Sequence, residues 1–114
     1  MAVTAAGTGT QTTTVTTEHT LLDVSTAGVY TLHVDTVNLA SGDVLELRIY
    51  QIVLTGGTRR VAYFASYVND QPTDDMIKVS VPIANELTDS GSLRFTLKQT
   101  SGSSRSLPWK VLSS

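Results

Sequence analysis

The chain has 114 residues and a formal net charge of −2, the size of one domain with a modest core. It is 40% apolar but only 16% charged, where about a quarter is usual. Thr and Ser supply the missing polarity, and hydroxyl surface is cheaper to bury against a neighbour than charge. The absence of cysteine excludes disulfides, thiolate metal sites and a cysteine nucleophile. No apolar run approaches the roughly 20 residues of a membrane-spanning helix.

Residues 1–17 read as a flexible, Thr-rich arm, with Val3 and Val15 as almost its only apolar anchors. Its opening, MAVTAAGTGT, has neither the basic region nor the apolar core of a signal peptide. Alone the arm cannot offset its ordering entropy. Yet TQTTTVTT has high β-propensity. Two readings stay open: a disordered tail, or an arm that becomes a strand on a neighbouring subunit.

Residues 18–114 read as the folded domain. HTLLDV (His19–Val24) is a short strand, and STAG turns into VYTLHVD (Val29–Asp35). In that strand Tyr30, Leu32 and Val34 share one face and Thr31, His33 and Asp35 the other. The loop after it is turn chemistry, with Leu39 as a plug into the core. DVLELRIYQIVLTGGTRRVAYFASY follows, two strands joined at Gly56-Gly57, whose positive φ suits a hairpin turn. Its alternation slips near Tyr50-Gln51-Ile52, which predicts a β-bulge. The second strand is apolar on both faces, the mark of a central strand.

Beyond a polar loop, MIKVSVP (Met76–Pro82) predicts a strand with Ile77, Val79 and Val81 inward and Lys78 and Ser80 outward. Ile83–Leu87 suggests one helical turn. LRFTLKQ (Leu93–Gln99) alternates with Leu93, Phe95 and Leu97 inward. The last strand, Leu107–Leu112, puts Leu107, Trp109 and Val111 on one face, with Pro108 confining it to an edge or a strand start. About seven strands, eight with the arm, separated by Gly, Asp, Ser and Asn turns, predict an antiparallel β-sandwich of jelly-roll type.

No catalytic machinery stands out. His33 and Asp35 share a strand face, the spacing of a general base or a metal's first and second shell, but no third group lies at a matching spacing. A polar strand face is the simpler reading. No G-x-S-x-G elbow is present. Asp70, Asp74 and Asp75 lack EF-hand spacing, and GGTRR lacks the G-K-[ST] of a P-loop. Arg59 and Arg60 face opposite sides of their strand, so only one can join an anion site. The aromatic residues Tyr30, Tyr50, Tyr63, Tyr67, Phe64, Phe95 and Trp109 would make a sugar-stacking platform if exposed, but a small sandwich needs most of them as core, Phe95 and Trp109 first. Arg94, Lys98, Arg105 and Lys110, without acids among them, read as solvated or acid-paired rather than as a phosphate track.

Two runs, GDVLELRIYQIVLTGGTRRVAYFASY and LRFTLKQTSGSSRSLPWKVL, resemble a family of small virion structural proteins of tailed phages. The resemblance rests on Gly42, Asp43, Glu46, Leu47, Arg48, Gly56 and Gly57, then Phe95–Gln99, Gly102, Arg105, Pro108, Trp109, Val111 and Leu112. It covers Glu18 to Leu112 and leaves the arm out. It implies a head decoration or cement protein that sits on the capsid surface of the virion, made in the host bacterial cytoplasm. Its partner would be the major capsid protein, bound between subunits, and it would form a homo-oligomer, a trimer by analogy. It implies no enzyme activity, cofactor, metal, nucleic-acid partner or membrane. For attachment the expected residues are Thr10, Thr12, Thr13, Thr14, Val15, Thr16 and Thr17 of the arm, then Arg59 and Asp74 in exposed loops. The alternatives are a carbohydrate- or receptor-binding module of a tail or fibre and, more remotely, a small hydrolase using His33 and Asp35.

Overall fold

The computed structural model describes residues 2–114; Met1, the first residue of the expected arm, lies outside the described residues. The described chain forms strands β1 (Thr4–Thr12), β2 (Glu18–Val24), β3 (Gly28–Asp35), β4 (Val44–Gln51), β5 (Arg60–Val68), β6 (Ile77–Val79), β7 (Ile83–Asn85), β8 (Leu93–Ser101) and β9 (Ser106–Ser113). A 3-10 turn occupies Thr73–Asp75. One sheet, A, runs β1-β9-β3-β6, with β7 also paired to β3; the other, B, runs β2-β8-β4-β5. All pairings are antiparallel. Early and late strands interleave in both sheets, which is the jelly-roll order of two nested Greek keys.

The alternation seen in the sequence becomes the core. Leu32 and Val34 of β3 and Leu107 and Val111 of β9 face Leu45, Leu47 and Ile49 of β4 and Leu93, Phe95 and Leu97 of β8, all buried. Each contributes about 1.5–3 kcal/mol by leaving water. Leu39 plugs this core as expected. The β4–β5 register shifts between Ile49 and Tyr50, leaving Ala62 as the extra residue of the bulge, close to where the alternation slipped.

Four expectations need correction. The arm is not a separate tail: β1 pairs along β9 from Thr4↔Ser113 to Thr12↔Ser106 and is the outermost strand of sheet A. The sequence shows few anchors there because β9 supplies the anchor. Gly7 and Gly9 face inward and leave a slot for the Trp109 indole; a Cβ on Gly9 would lie 3.1 Å from its Nε1. Second, β5 is an edge strand, not a central one. Its apolar outer face is exposed rather than covered. Third, Ile83–Asn85 is strand β7, not a helical turn. It pairs with the start of β3, and Pro82 separates it from β6. The fourth concerns which face of β6 points inward.

Candidate interaction face

β6 is turned over relative to the expected orientation. Ile77, Val79 and Val81 are 54%, 51% and 52% exposed, while Lys78 and Ser80 are each 6% exposed. The register explains this. His33 lies opposite Val79, Val34 opposite Lys78 and Asp35 opposite Ile77. Val34 is wholly buried, so Lys78 must share its inward face. Hydrogen bonds pin this register at both ends. Thr36 N–H donates to Met76 O at 3.0 Å, and Ser80 N–H donates to Leu32 O at 2.9 Å. A one-residue slip would exchange the faces and break both.

The two polar side chains turned inward here, Lys78 and Ser80, are both satisfied. Lys78 Nζ donates to Asp75 O at 2.6 Å, pairs with the Asp75 carboxylate at 3.0 Å and sits 4.8 Å from the centre of the Tyr67 ring. Its stem packs inward while its head reaches the rim. Ser80 Oγ accepts the Leu32 N–H at 2.9 Å and donates to Val81 O. The same burial pushes the Tyr67 phenol up to about 12, with Tyr63 and Asp75 adding to it.

What remains outside is an apolar stripe across sheet A. Val29, Ile77, Val79 and Val81 expose their side chains. Two shallow grooves flank the stripe and meet at His33. One, of about 360 Å³, is bounded by Thr8, Asp35, Ile77, Pro108, Trp109 and Lys110. The other, of about 340 Å³, is bounded by Val3, Val29, Thr31, Val79, Pro82 and Leu112. Periodicity reveals two faces but not which one is inward, so sequence reasoning missed this surface. The available signal was the Asp75-x-x-Lys78 spacing, which lets the lysine fold back onto its own turn.

The residues proposed for chemistry do not converge. His33 Nε2 bonds Thr31 Oγ1 at 2.9 Å, whereas Asp35 Oδ1 accepts the Val37 N–H at 3.0 Å. Burial, then the neighbouring Lys110, pushes the His33 imidazole below its ordinary value, which favours its neutral form. Among the described residues no three His, Cys, Asp or Glu side chains gather as a metal site would require. Among the described residues no helix is long and apolar enough to cross a membrane. The aromatic side chains are dispersed too. Tyr30 and Phe95 are core, Trp109, Tyr63 and Tyr67 pack against it, and Tyr50 donates to Glu18 on the outer face of sheet B.

The attachment residues expected in the arm lie on the chain's own fold. Thr10 and Thr12 are exposed on the outer face of β1, beside Pro108 and Ser106. Thr13 is buried, and its hydroxyl donates to Gln99 Oε1 at 2.5 Å and accepts the Arg105 N–H at 2.9 Å. Thr14 N–H donates to His19 Nε2, and Thr14 O accepts the Thr17 N–H. Val15 is half-buried in this turn, and Thr16 takes a positive φ of 73° while its N–H donates to Gln99 O. Arg59 donates to Gly91 O at 3.2 Å, far in sequence from Asp74, which is exposed in the 3-10 turn.

Several residues that carry the family resemblance do meet, at one corner. Asp43 is fully buried and receives Arg105 Nε at 2.6 Å, Ala40 N–H at 2.9 Å and Ser103 N–H at 3.3 Å. Burial alone would raise the Asp43 pKa, but Arg105 and the two N–H groups outweigh it and hold it below the usual carboxylate value. Gly102 has a φ of +91°, and a Cβ there would collide with the Asp43 carboxylate. Asp43, Gly102 and Arg105 therefore form one structural tie between two loops, and beside it Ser101 Oγ donates to Gly42 O at 2.7 Å. Comparison with protein-family models, curated proteins and solved structures finds no match for this chain.

Proposed function

We propose that this chain is a structural protein of a tailed-phage virion, a head decoration protein that binds between major capsid protein subunits. One observation carries the reading: the apolar stripe of Val29, Ile77, Val79 and Val81, which the fold holds outward at the expense of its own core. Covering the half-exposed side chains of β6 is worth about 1 kcal/mol each. Repeated over a lattice, contacts of that size hold. The low charge and hydroxyl-rich surface suit burial against another protein. The jelly-roll is an architecture that viral capsid domains use. The resemblance of residues 18–112 supplies the phage context.

The stripe, rather than the arm, is the attachment surface in this reading. Deleting residues 1–17 would remove a strand of sheet A and confound attachment with folding. A cleaner experiment adds the protein to capsids that lack it and measures occupancy. Ile77→Lys combined with Val79→Lys should abolish occupancy while leaving the melting temperature within a few degrees of the wild type. Full occupancy by that variant would reject the proposal.

A further inference from the structure

We infer that two copies of this chain associate through the free edge of β5, making one continuous eight-stranded sheet from two copies of sheet B. The sandwich has four edge regions, and three are guarded. β6 and β7 are three residues each and are separated at Pro82. β2 carries Glu18 and Asp23, and its His19 is bonded to Gln11 and Thr14 of the neighbouring β1 segment. β1 is bent by a register shift between Ala5 and Gly7 and offers glycine at Gly7 and Gly9. β5 is bulged only at Ala62, near its start, and from Tyr63 to Val68 it has none of these devices. It runs nine residues, RVAYFASYV, without Pro or Gly, and its one charge is Arg60 at the first position.

The hydrogen-bond parity shows what β5 presents. Asn69 N–H donates to Asp43 O on the β4 side. Tyr67, Ala65 and Tyr63, in step with Asn69, therefore also turn their backbone groups to β4, where they lie opposite Leu45, Leu47 and Ile49. Phe64, Ser66 and Val68 turn theirs to the open edge. The side chains of Phe64 and Val68 are exposed on the outer face.

The occupant follows from charge. Arg60 begins the strand, and Asp70 lies two residues beyond its end. Both are exposed, and neither is in an ion pair among the described residues. Antiparallel pairing about a two-fold axis brings each Arg60 to the Asp70 end of the other copy. With Ala65 of the two copies side by side, Phe64 of each exchanges N–H···O=C bonds with Ser66 of the other. The two Phe64 rings then lie diagonally on one face, within reach of each other. This contact is two-fold, unlike the trimer that the resemblance implies. It leaves the stripe on sheet A free and doubles it, so it is independent of what the stripe binds.

Sedimentation velocity of the full chain over a range of concentrations tests this. The wild type should show a monomer–dimer equilibrium. Ser66→Pro removes an outward N–H while sparing the bonds to β4, and should leave monomer. Arg60→Glu should raise the dimer dissociation constant about tenfold, because two contacts change from attraction to repulsion. Adding Asp70→Arg to Arg60→Glu should restore it. Both charges are exposed, so this pair remains decisive if the proline variant fails to fold. A monomer at all concentrations, a three-fold assembly, or a dimer indifferent to these changes overturns the inference.

Discussion

Replacing Asp43 with Ala would remove the tie between the loop at Ala40–Asp43 and the β8–β9 turn. The wild-type carboxylate is buried and accepts one guanidinium and two backbone N–H groups. Arg105 keeps 29% of its side-chain surface and can find water, so its loss is partial. The Ala40 N–H would lose its acceptor in a part-buried position. A lost charge-assisted bond together with an orphaned donor costs about 3 kcal/mol. At roughly 4 °C per kcal/mol for a domain of this size, the melting temperature should fall by about 12 °C. Thermal unfolding followed by circular dichroism at pH 7 measures this directly. The sign with pH is fixed by the depressed pKa of Asp43. Its contribution is complete above the unfolded value of about 3.9 and is lost as pH falls through the lower folded value. The gap between wild type and variant should therefore be constant above about pH 5 and narrow below about pH 4. A loss under about 1 kcal/mol at pH 7, or a gap that does not narrow in acid, would refute the reasoning.

Two further predictions test the corrected elements. Val79→Lys should change stability by no more than about 0.5 kcal/mol in urea unfolding, because the side chain is half exposed on the outward face, where a lysine can reach water; a loss of several kcal/mol would put Val79 in the core and Lys78 outside. Gly9→Val should cost about 1–3 kcal/mol by crowding the Trp109 indole. Trp109 is the only tryptophan, so its emission should shift to the red as β1 loosens, and an unshifted spectrum would remove the slot from the account.

The acid dependence should not rest on Asp43 alone. On the outer face of sheet B, burial would raise the Glu18 pKa, but the hydroxyls of Tyr50 and Thr96 and the charges of Arg48 and Lys98 outweigh it and lower it. The bidentate Arg94 pair, at 2.8 and 2.9 Å, lowers Asp23. Both groups are partly exposed, so solvent and salt screen much of their effect. They are a secondary source of the same trend and the reason Asp43→Ala should itself still lose stability in acid. Arg94 and Arg105 each stand on an acid distant in sequence, which accounts for two of the cations in the C-terminal run.

The sequence by itself determined the class of fold and most of the core, because the period-2 pattern of β3, β4, β8 and β9 is a local property of each strand. Leu32, Leu47, Phe95 and Val111 could be placed inward from that pattern alone. Tertiary structure decided whatever depends on a distant partner. β1 is a strand because Trp109 of β9 fills the slot over Gly7 and Gly9, a contact spanning almost the whole chain. Asp43 is a structural residue because Arg105 reaches it from 62 positions away. The orientation of β6 shows the division most plainly. Alternation separates Ile77 and Val79 from Lys78, but the two faces of a strand are equivalent until a neighbour is chosen. Pairing with β3, opposite a buried Val34, turns the lysine inward and leaves the apolar face free to bind.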